Sequence, residues 1–464
     1  MHHDARGLVL TTESADAARL FDRAVKEYLE YRKSAMATLK QAIEADPSFC
    51  LAHCLTGYLF MLFGSHVVDG KVDAALAQAE RTSPRTTPRE RKHVAALAAW
   101  RKGDTARTIR IWDEILIEHP HDLLTMRLQH FALFWSGQSY FMRDAVARAV
   151  GAWNAAMPGY GNVLGMYAFG LEECGDYAAA EPKGRRAVEL SKDDLWAVHA
   201  VAHILEMQGR LEEGTSFLAQ PYGTWDDRNP FRQHLWWHTA LFPLELGQYD
   251  RVLELYDRAV RAELTDFYLD IQNAASMLFR LEWCGVDVGR RWSELADIAE
   301  RRIDDHVMAF TDLHFMLALC RDGRLPKAEQ LIASFRTFAS TPENDAALTM
   351  EPVAIPVAEA MLAYARGDYG AAVDRLIASR YRWPMVGASH AQRDLFSLLL
   401  IAAAEKSGRT TLARALLSER VELKPHSVAS WLHYGDALDK LGDQAAVAAR
   451  ERAASEARRA VERT

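Results

Sequence analysis

The chain has 464 residues, of which 49% are hydrophobic and 25% charged. That composition is globular and excludes a disordered, collagen-like or coiled-coil protein. A net charge of −8 offers no basic field for a phosphate backbone or an anionic lipid surface, so neither nucleic acid nor a membrane is expected as a partner. At about 150 residues per domain the length suggests roughly three globular units, a prior that fails if the chain is built from repeats.

The N-terminal stretch MHHDARGLVL lacks a basic region followed by a hydrophobic segment. The longest strongly apolar run, 395–404, is about half of the ~20 residues needed to cross a bilayer. A cytoplasmic protein is therefore expected. Five cysteines spread over this length do not form a disulfide framework. Cys50 and Cys54 sit one helical turn apart in an apolar stretch, which predicts buried reduced thiols, with a metal pair as the alternative.

From there on, apolar residues recur at three- and four-residue steps amid alanine, leucine, glutamate and arginine, as in 371–377, which predicts helix almost throughout and no period-two strands. The punctuation is glycine in short polar turns: Gly64, Gly103, Gly137, Gly175, Gly209, Gly247, Gly285, Gly323, Gly367, Gly408 and Gly442. Their separations run from 34 residues (Gly103 to Gly137) to 44 (Gly323 to Gly367). Each can end one helix in a left-handed conformation and begin the next. Small residues such as Ala180 and Ala372 follow a few positions later, where two helices must pack closely.

Three segments break the rhythm and are expected to be loops: 82–89, 220–230 and 340–356, all rich in proline and turn formers. The alanine-rich segment 445–464 is expected to be a solvated, capping last helix. The predicted architecture is all-α, a superhelix of about eleven helical hairpins forming one domain over 1–464, each hairpin burying its faces against its neighbours.

Unit length and pattern, as in GDYAAAEPKGRRAVELSKDD (175–194), resemble the tetratricopeptide repeat. Longer strings are more specific. RDAVARAV (143–150), YAFGLEE (167–173), WAVHAVAHILEM (196–207), HLWWHTALFPLELGQYD (234–250), GRRWSELADIA (289–299), DDHVMAFTDLHFM (304–316), RYRWP with SHAQRD (380–394) and LLSERVELKPHS (416–427) resemble tetratricopeptide repeat protein 38 and its bacterial relatives. The resemblance implies an all-helical superhelix and carries over no catalytic residue.

Seventeen histidines cluster in four hairpins. His199, His203 and Glu206 share one helix face at i, i+4 and i+7, and His234 and His238 repeat the i, i+4 spacing one unit later. Counted back 13, 10, 6, 3 and 2 residues from Gly209, the concave positions of a tetratricopeptide array fall on Trp196, His199, His203, Glu206 and Met207. From Gly247 they fall on His234, Trp237, Leu241, Leu244 and Glu245, turning His234 inward and His238 toward the neighbouring hairpin. Asp270, His306, Asp312 and His314 are weaker members of the same wall. The aromatic residues Trp196, Trp236, Trp237, Phe231, Tyr222 and Trp225 could line an apolar pocket.

Such a wall has three readings. His199, His203 and Glu206 could hold a divalent metal, with Asp270 as a further oxygen ligand. The groups could work without a metal as acids and bases, with His199, His203, Glu206, His234 and His238 as the catalytic candidates. Or they could be a buried network that only fixes helix register. Ser389 and Gln392 predict a capping box opening the helix of Arg393 and Asp394; Arg393 is the alternative clamp for a ligand carboxylate, joined by Arg380 and Arg382. Glu172 and Glu173, at offsets 3 and 2 before Gly175, fall on the concave face by the same count and are expected to be a solvated pair, with acid–base groups as the alternative. The expected partner is a small molecule, or a peptide in a non-enzymatic scaffold, in the concave groove; self-association is left open.

Overall fold

The computed structural model describes residues 1–221, 223–341 and 343–462, the last three without their side chains. Among them it contains 24 α-helices, arranged in chain order as twelve antiparallel hairpins. All eleven turn glycines have positive φ, for example 66° at Gly209 and 75° at Gly247, the region where a Cβ is penalised. The twelfth hairpin, one more than the glycines announce, is the first. Ala15–Leu29 and Ala35–Ala45 are joined through Tyr31, which itself takes a left-handed φ of 58°.

By contact density the chain divides into two compact units. The first comprises 1–201, 225–231 and 340–348. It opens with a two-residue antiparallel ribbon pairing His2 with Leu10 and His3 with Val9, a small departure from the strand-free expectation. Its hairpins pack through small residues: a Cβ on Gly184 would lie 2.9 Å from Val201 and 3.4 Å from Ala168, and Ala180 is fully buried. Tyr58, Trp100 and Trp112 stack edge-on or tilted at 5.4 to 6.2 Å in its core.

The second unit comprises 202–224, 232–339 and 349–464. It uses the same device, with Gly214 against the ring of Phe242 and Ala372 fully buried. Phe310 and Trp383 pack on Phe396 at 5.8 and 5.6 Å. The closing helix Ala445–Glu462 lies on Val428–Lys440 through Leu438, Ala446 and Ala449. It is less solvated than its charges suggest, because Glu456 is buried and paired with His426 at 3.0 Å and Arg452 at 2.8 Å.

The three breaks resolve differently. Segment 220–230 is a loop in its described residues; Tyr222, offered as a pocket residue, lies outside them. Segment 82–89 shrinks to a 3₁₀ turn, Ser83–Arg85, because Thr87 and Glu90 form a capping box and Pro88 opens the helix Pro88–Arg101, a position where its missing N–H costs nothing. Segment 340–356 is mostly helical, contrary to expectation: Asp345–Thr349 is 3₁₀, Met350–Ala354 is π, and Pro356 lies in the first turn of Ile355–Ala365. The longest apolar helical stretch is therefore 345–365, long and apolar enough by composition to cross a membrane, with half of it buried in the fold as in a core helix.

Candidate metal centre

Leu195–Met207 and Phe231–Glu245 carry the histidines that the sequence singles out. Within the second unit, His203 lies against His238 with ring centroids 4.4 Å apart, and His238 against His234 at 4.8 Å. The ligand nitrogens of His203, His234 and His238 are within 4.8 Å of one another. All three residues are buried, as is Glu206. The half-buried ring of His390 stands 5.9 Å from that of His203.

Polar neighbours stand beside two of these rings, one of them hydrogen-bonded. His234 Nδ1 donates to Asn273 Oδ1 at 2.8 Å, which leaves Nε2 with the lone pair. His238 Nδ1 stands 3.3 Å from Glu206 Oε2, and a proton on Nδ1 again leaves Nε2 as the basic atom. Burial, then the neighbouring His238, pushes His234 well below the usual imidazole range, so this ring is neutral and competent as a ligand. Trp237 stacks on His234 at 5.3 Å and 9°.

Behind Glu206 lies a set of charges that the sequence does not reveal. Lys424 Nζ reaches Glu206 at 3.4 Å and Glu245 at 3.0 Å. Arg420 binds Asp394 through both terminal nitrogens, at 2.6 and 3.2 Å, and Arg280 Nη2 stands 3.6 Å from Asp394. Burial alone would raise Asp394, yet Arg420, Lys424 and Arg280 hold it well below the usual carboxylate range. Lys424 is held high against burial by Glu245, Asp394 and Glu206. Three cations thus face three carboxylates. A cavity of about 10 Å³ lined by Glu245, Arg280 and Arg420 among others has room for about one water.

Several expectations need correction. The imidazoles and Glu206 are core residues, not the open wall of a groove. His238 does turn toward the neighbouring hairpin, as its offset predicted, with its ring 4.4 Å from that of His203 on Leu195–Met207. Trp196, in the first unit, packs on Phe169 at 4.7 Å under the Arg127 guanidinium, while His199 stands one helical turn before His203 on Leu195–Met207, as its spacing predicted, against Phe169 and Phe231 at 5.1 and 5.3 Å. Glu206 is turned to His238 and Lys424. Asp270 is held by the Thr265 hydroxyl, and the residue that reaches His234 from the same helix, Tyr268–Trp283, is Asn273. Burial raises Asp270 to about 7.

The remaining candidates are engaged locally. His306, at a left-handed φ of 45°, has Asp312 at 3.3 Å and Ser334 Oγ at 2.7 Å. His314 Nδ1 donates to Phe310 O at 2.7 Å, and burial takes its pKa down to about 4. The Ser389–Gln392 capping box is present. Arg393 donates to the carbonyls of Gly387 and Ala388 rather than presenting a carboxylate clamp, Arg380 pairs with Glu419, and Arg382 reaches Ala378 O. Glu172, expected to be solvated, is fully buried. Cys50 and Cys54 are buried free thiols, Cys50 bonding to Ala79 O at 3.3 Å.

No family model matches the chain. Among solved structures, it is similar to the chain of the human IFIT1 dimer with m7Gppp-AAAA, at 14% identity over 97% of this chain and 96% of that one, with a TM-score of 0.38. The human IFIT1 dimer with PPP-AAAA gives 13% over 96% and 94%, with a TM-score of 0.40. A chain of the structure of Naa15/Naa10 bound to HypK-THB gives 13% over 95% and 70%, with a TM-score of 0.26. The fold is a tetratricopeptide-like helical repeat. The IFIT1 chains are solved with oligonucleotide ligands, and the expectation that excludes nucleic acid does not stand. Net charge sums over a whole chain, whereas a nucleotide end is held by a few local groups, so charge is no ground for excluding that partner class.

Proposed function

We propose that the second unit is a metal-binding module, in which one divalent transition metal is held by His203, His234 and His238. The observation that carries this is the mutual approach of three buried imidazoles within 4.8 Å, one with Nδ1 bonded to Asn273 and another with Nδ1 3.3 Å from the Glu206 carboxylate. Borderline metals such as zinc take three imidazoles and keep a fourth position for water or a small ligand. Asn273 and Glu206 then serve as the orienting partners that metal-bound histidines use. The function we assign is capture of a small molecule at that open position and its activation by the metal as a Lewis acid.

We further propose kinship with the tetratricopeptide repeat protein 38 family and a reducing, cytoplasmic setting. In support, the strings that carry the resemblance supply His203, Glu206, His234, His238, Asp394, Arg420 and Lys424, residues of the cluster and of the charges behind it.

The test is metal analysis of the purified chain, followed by chelation and titration with cobalt(II), read by its visible absorption. One equivalent bound in the native chain and none in His203→Ala or His238→Ala supports the proposal. No binding to a chain whose circular dichroism is native refutes it.

A further inference from the structure

Residues 225–231 return to the first unit from between two stretches of the second, and they are tied there at the turn of the first hairpin. Arg228 forms an antiparallel bridge with Arg32, in which Lys33 N donates to Asp227 O at 3.0 Å and Asn229 N to Tyr31 O at 2.6 Å. Arg228 also donates to Glu30 O at 3.0 Å and pairs with Asp193, while Arg32 pairs with Asp227. The segment ends on Phe231, whose ring stacks on that of Tyr31 at 4.1 Å and 9° and stands 5.6 Å from Trp196. Tyr31 is the turn residue held at a φ of 58°. Strain of that kind persists only where the surroundings impose it, and it gathers at ligand clamps.

Beside these two rings lies a deficit of hydrogen-bond acceptors. Arg127 is 3% exposed. Its Nη2 donates to the Tyr31 hydroxyl and its guanidinium lies 4.2 Å over Trp196. Its Nη1 has no hydrogen-bond partner, and among the described residues no carboxylate forms an ion pair with it. Trp196 Nε1 is likewise buried and unpartnered. Both residues line a cavity of about 10 Å³ with Asn162 and Asp194, room for about one water. Asp194 is engaged elsewhere, accepting from Asn162 Nδ2 and from the N–H groups of Trp196 and Ala197. A buried cation without a counter-ion and a buried donor without an acceptor both cost free energy, and a carboxylate satisfies both at once.

We infer that 225–231 is a lid and that the site it covers takes an aromatic carboxylate, its carboxylate on Arg127 and Trp196 Nε1 and its ring in the place that Phe231 gives up on Tyr31. In the closed state Phe231 stands in for the ligand's ring, and the bridge at Arg32 breaks when the ligand enters. All of these residues belong to the first unit and the site uses no metal, so it is tested separately from the metal centre.

The test is calorimetric titration of the full chain with phenylacetate, with 2-phenylethanol, which lacks the charge, and with cyclohexylacetate, which lacks the planar ring, joined by hydrogen exchange. Phenylacetate is expected to bind at least tenfold more tightly than either analogue. It is also expected to speed exchange of the Lys33 and Asn229 amides, which lose their acceptors when the lid opens. Asp227→Asn weakens the pairing with Arg32 at a side chain 57% exposed, and Phe231→Ala removes the competing ring; each is expected to tighten phenylacetate at least threefold. Arg127→Gln is expected to abolish binding, and the alcohol makes the same test in the native chain if that variant does not fold. No binding of phenylacetate, either analogue binding as tightly, unchanged or slower exchange at the two amides, or native affinity in both lid variants overturns the inference.

Discussion

Glu206 Oε2 stands 3.3 Å from His238 Nδ1, and the other oxygen of the same carboxylate faces Lys424 Nζ at 3.4 Å. One buried acid thus joins the histidine cluster to a set of charges contributed from 218 residues further along the chain. Glu206→Gln keeps the side-chain volume and removes the charge. It is expected to weaken cobalt(II) binding about 10- to 100-fold while leaving helicity unchanged, as measured by absorption titration beside circular dichroism. Native affinity in this variant would show that Glu206 does not orient His238.

Lys424 is the cation shared by Glu206 and Glu245. Removing one partner of a buried ion pair leaves uncompensated charge, which is costlier than losing the pair as a whole. Lys424→Met is expected to destabilise the second unit by roughly 3 kcal/mol, read in urea unfolding. The double variant Lys424→Met with Glu245→Gln should recover part of that loss.

Asp270 gives a pH signature. Burial raises its pKa from 3.8 to about 7, outweighing Thr265, Arg261 and Arg232, which favour the carboxylate, and Glu263 adds to the rise. Its Oδ1 is buried without a hydrogen-bond partner. Because the folded state holds this proton more tightly than the unfolded chain, its contribution is fully present below about pH 4 and is lost as pH rises through about 7. Asp270→Asn should flatten the fall in melting temperature over that window and leave the variant more stable than the native chain at pH 8. A fall of unchanged slope would contradict the assignment.

Gly214 marks how closely the hairpins pack in the second unit. A Cβ there would lie 2.1 Å from the ring of Phe242, itself fully buried. Gly214→Ala is expected to cost about 1–3 kcal/mol through overpacking, despite the gain in helix propensity within Leu211–Phe217. Thermal unfolding of the single variant decides it, and Gly214→Ala with Phe242→Leu should restore part of the loss.

The repeat frame was legible because its signals are local: a glycine that must be left-handed, a small residue at a crossing, a capping box at Ser389–Gln392. Where a non-glycine took the turn, at Tyr31, the first hairpin was invisible to that count. Prolines 352 and 356 suggested a loop, yet a π turn and a helix start accommodate them. The histidines were legible as pairs on one face. Their surroundings were not, because counting offsets from each turn glycine assumes an open inner face. Arg280, Arg420 and Lys424 close that face from distant hairpins, and no local spacing announces contacts of that range. Glu245 fell on an inward offset, and Arg420 and Lys424 sit in the string 416–427; their chemistry became apparent only when Glu206 and Asp394 were placed beside them.

The central claim, that His203, His234 and His238 form one metal centre, is tested most directly by anomalous diffraction at the zinc edge from crystals of the full chain grown with zinc. The account predicts one strong anomalous peak at bonding distance from one ring nitrogen of each of the three imidazoles, lost in His238→Ala crystals. Peaks confined to surface residues, with the three imidazoles ordered and no peak between them, would contradict it.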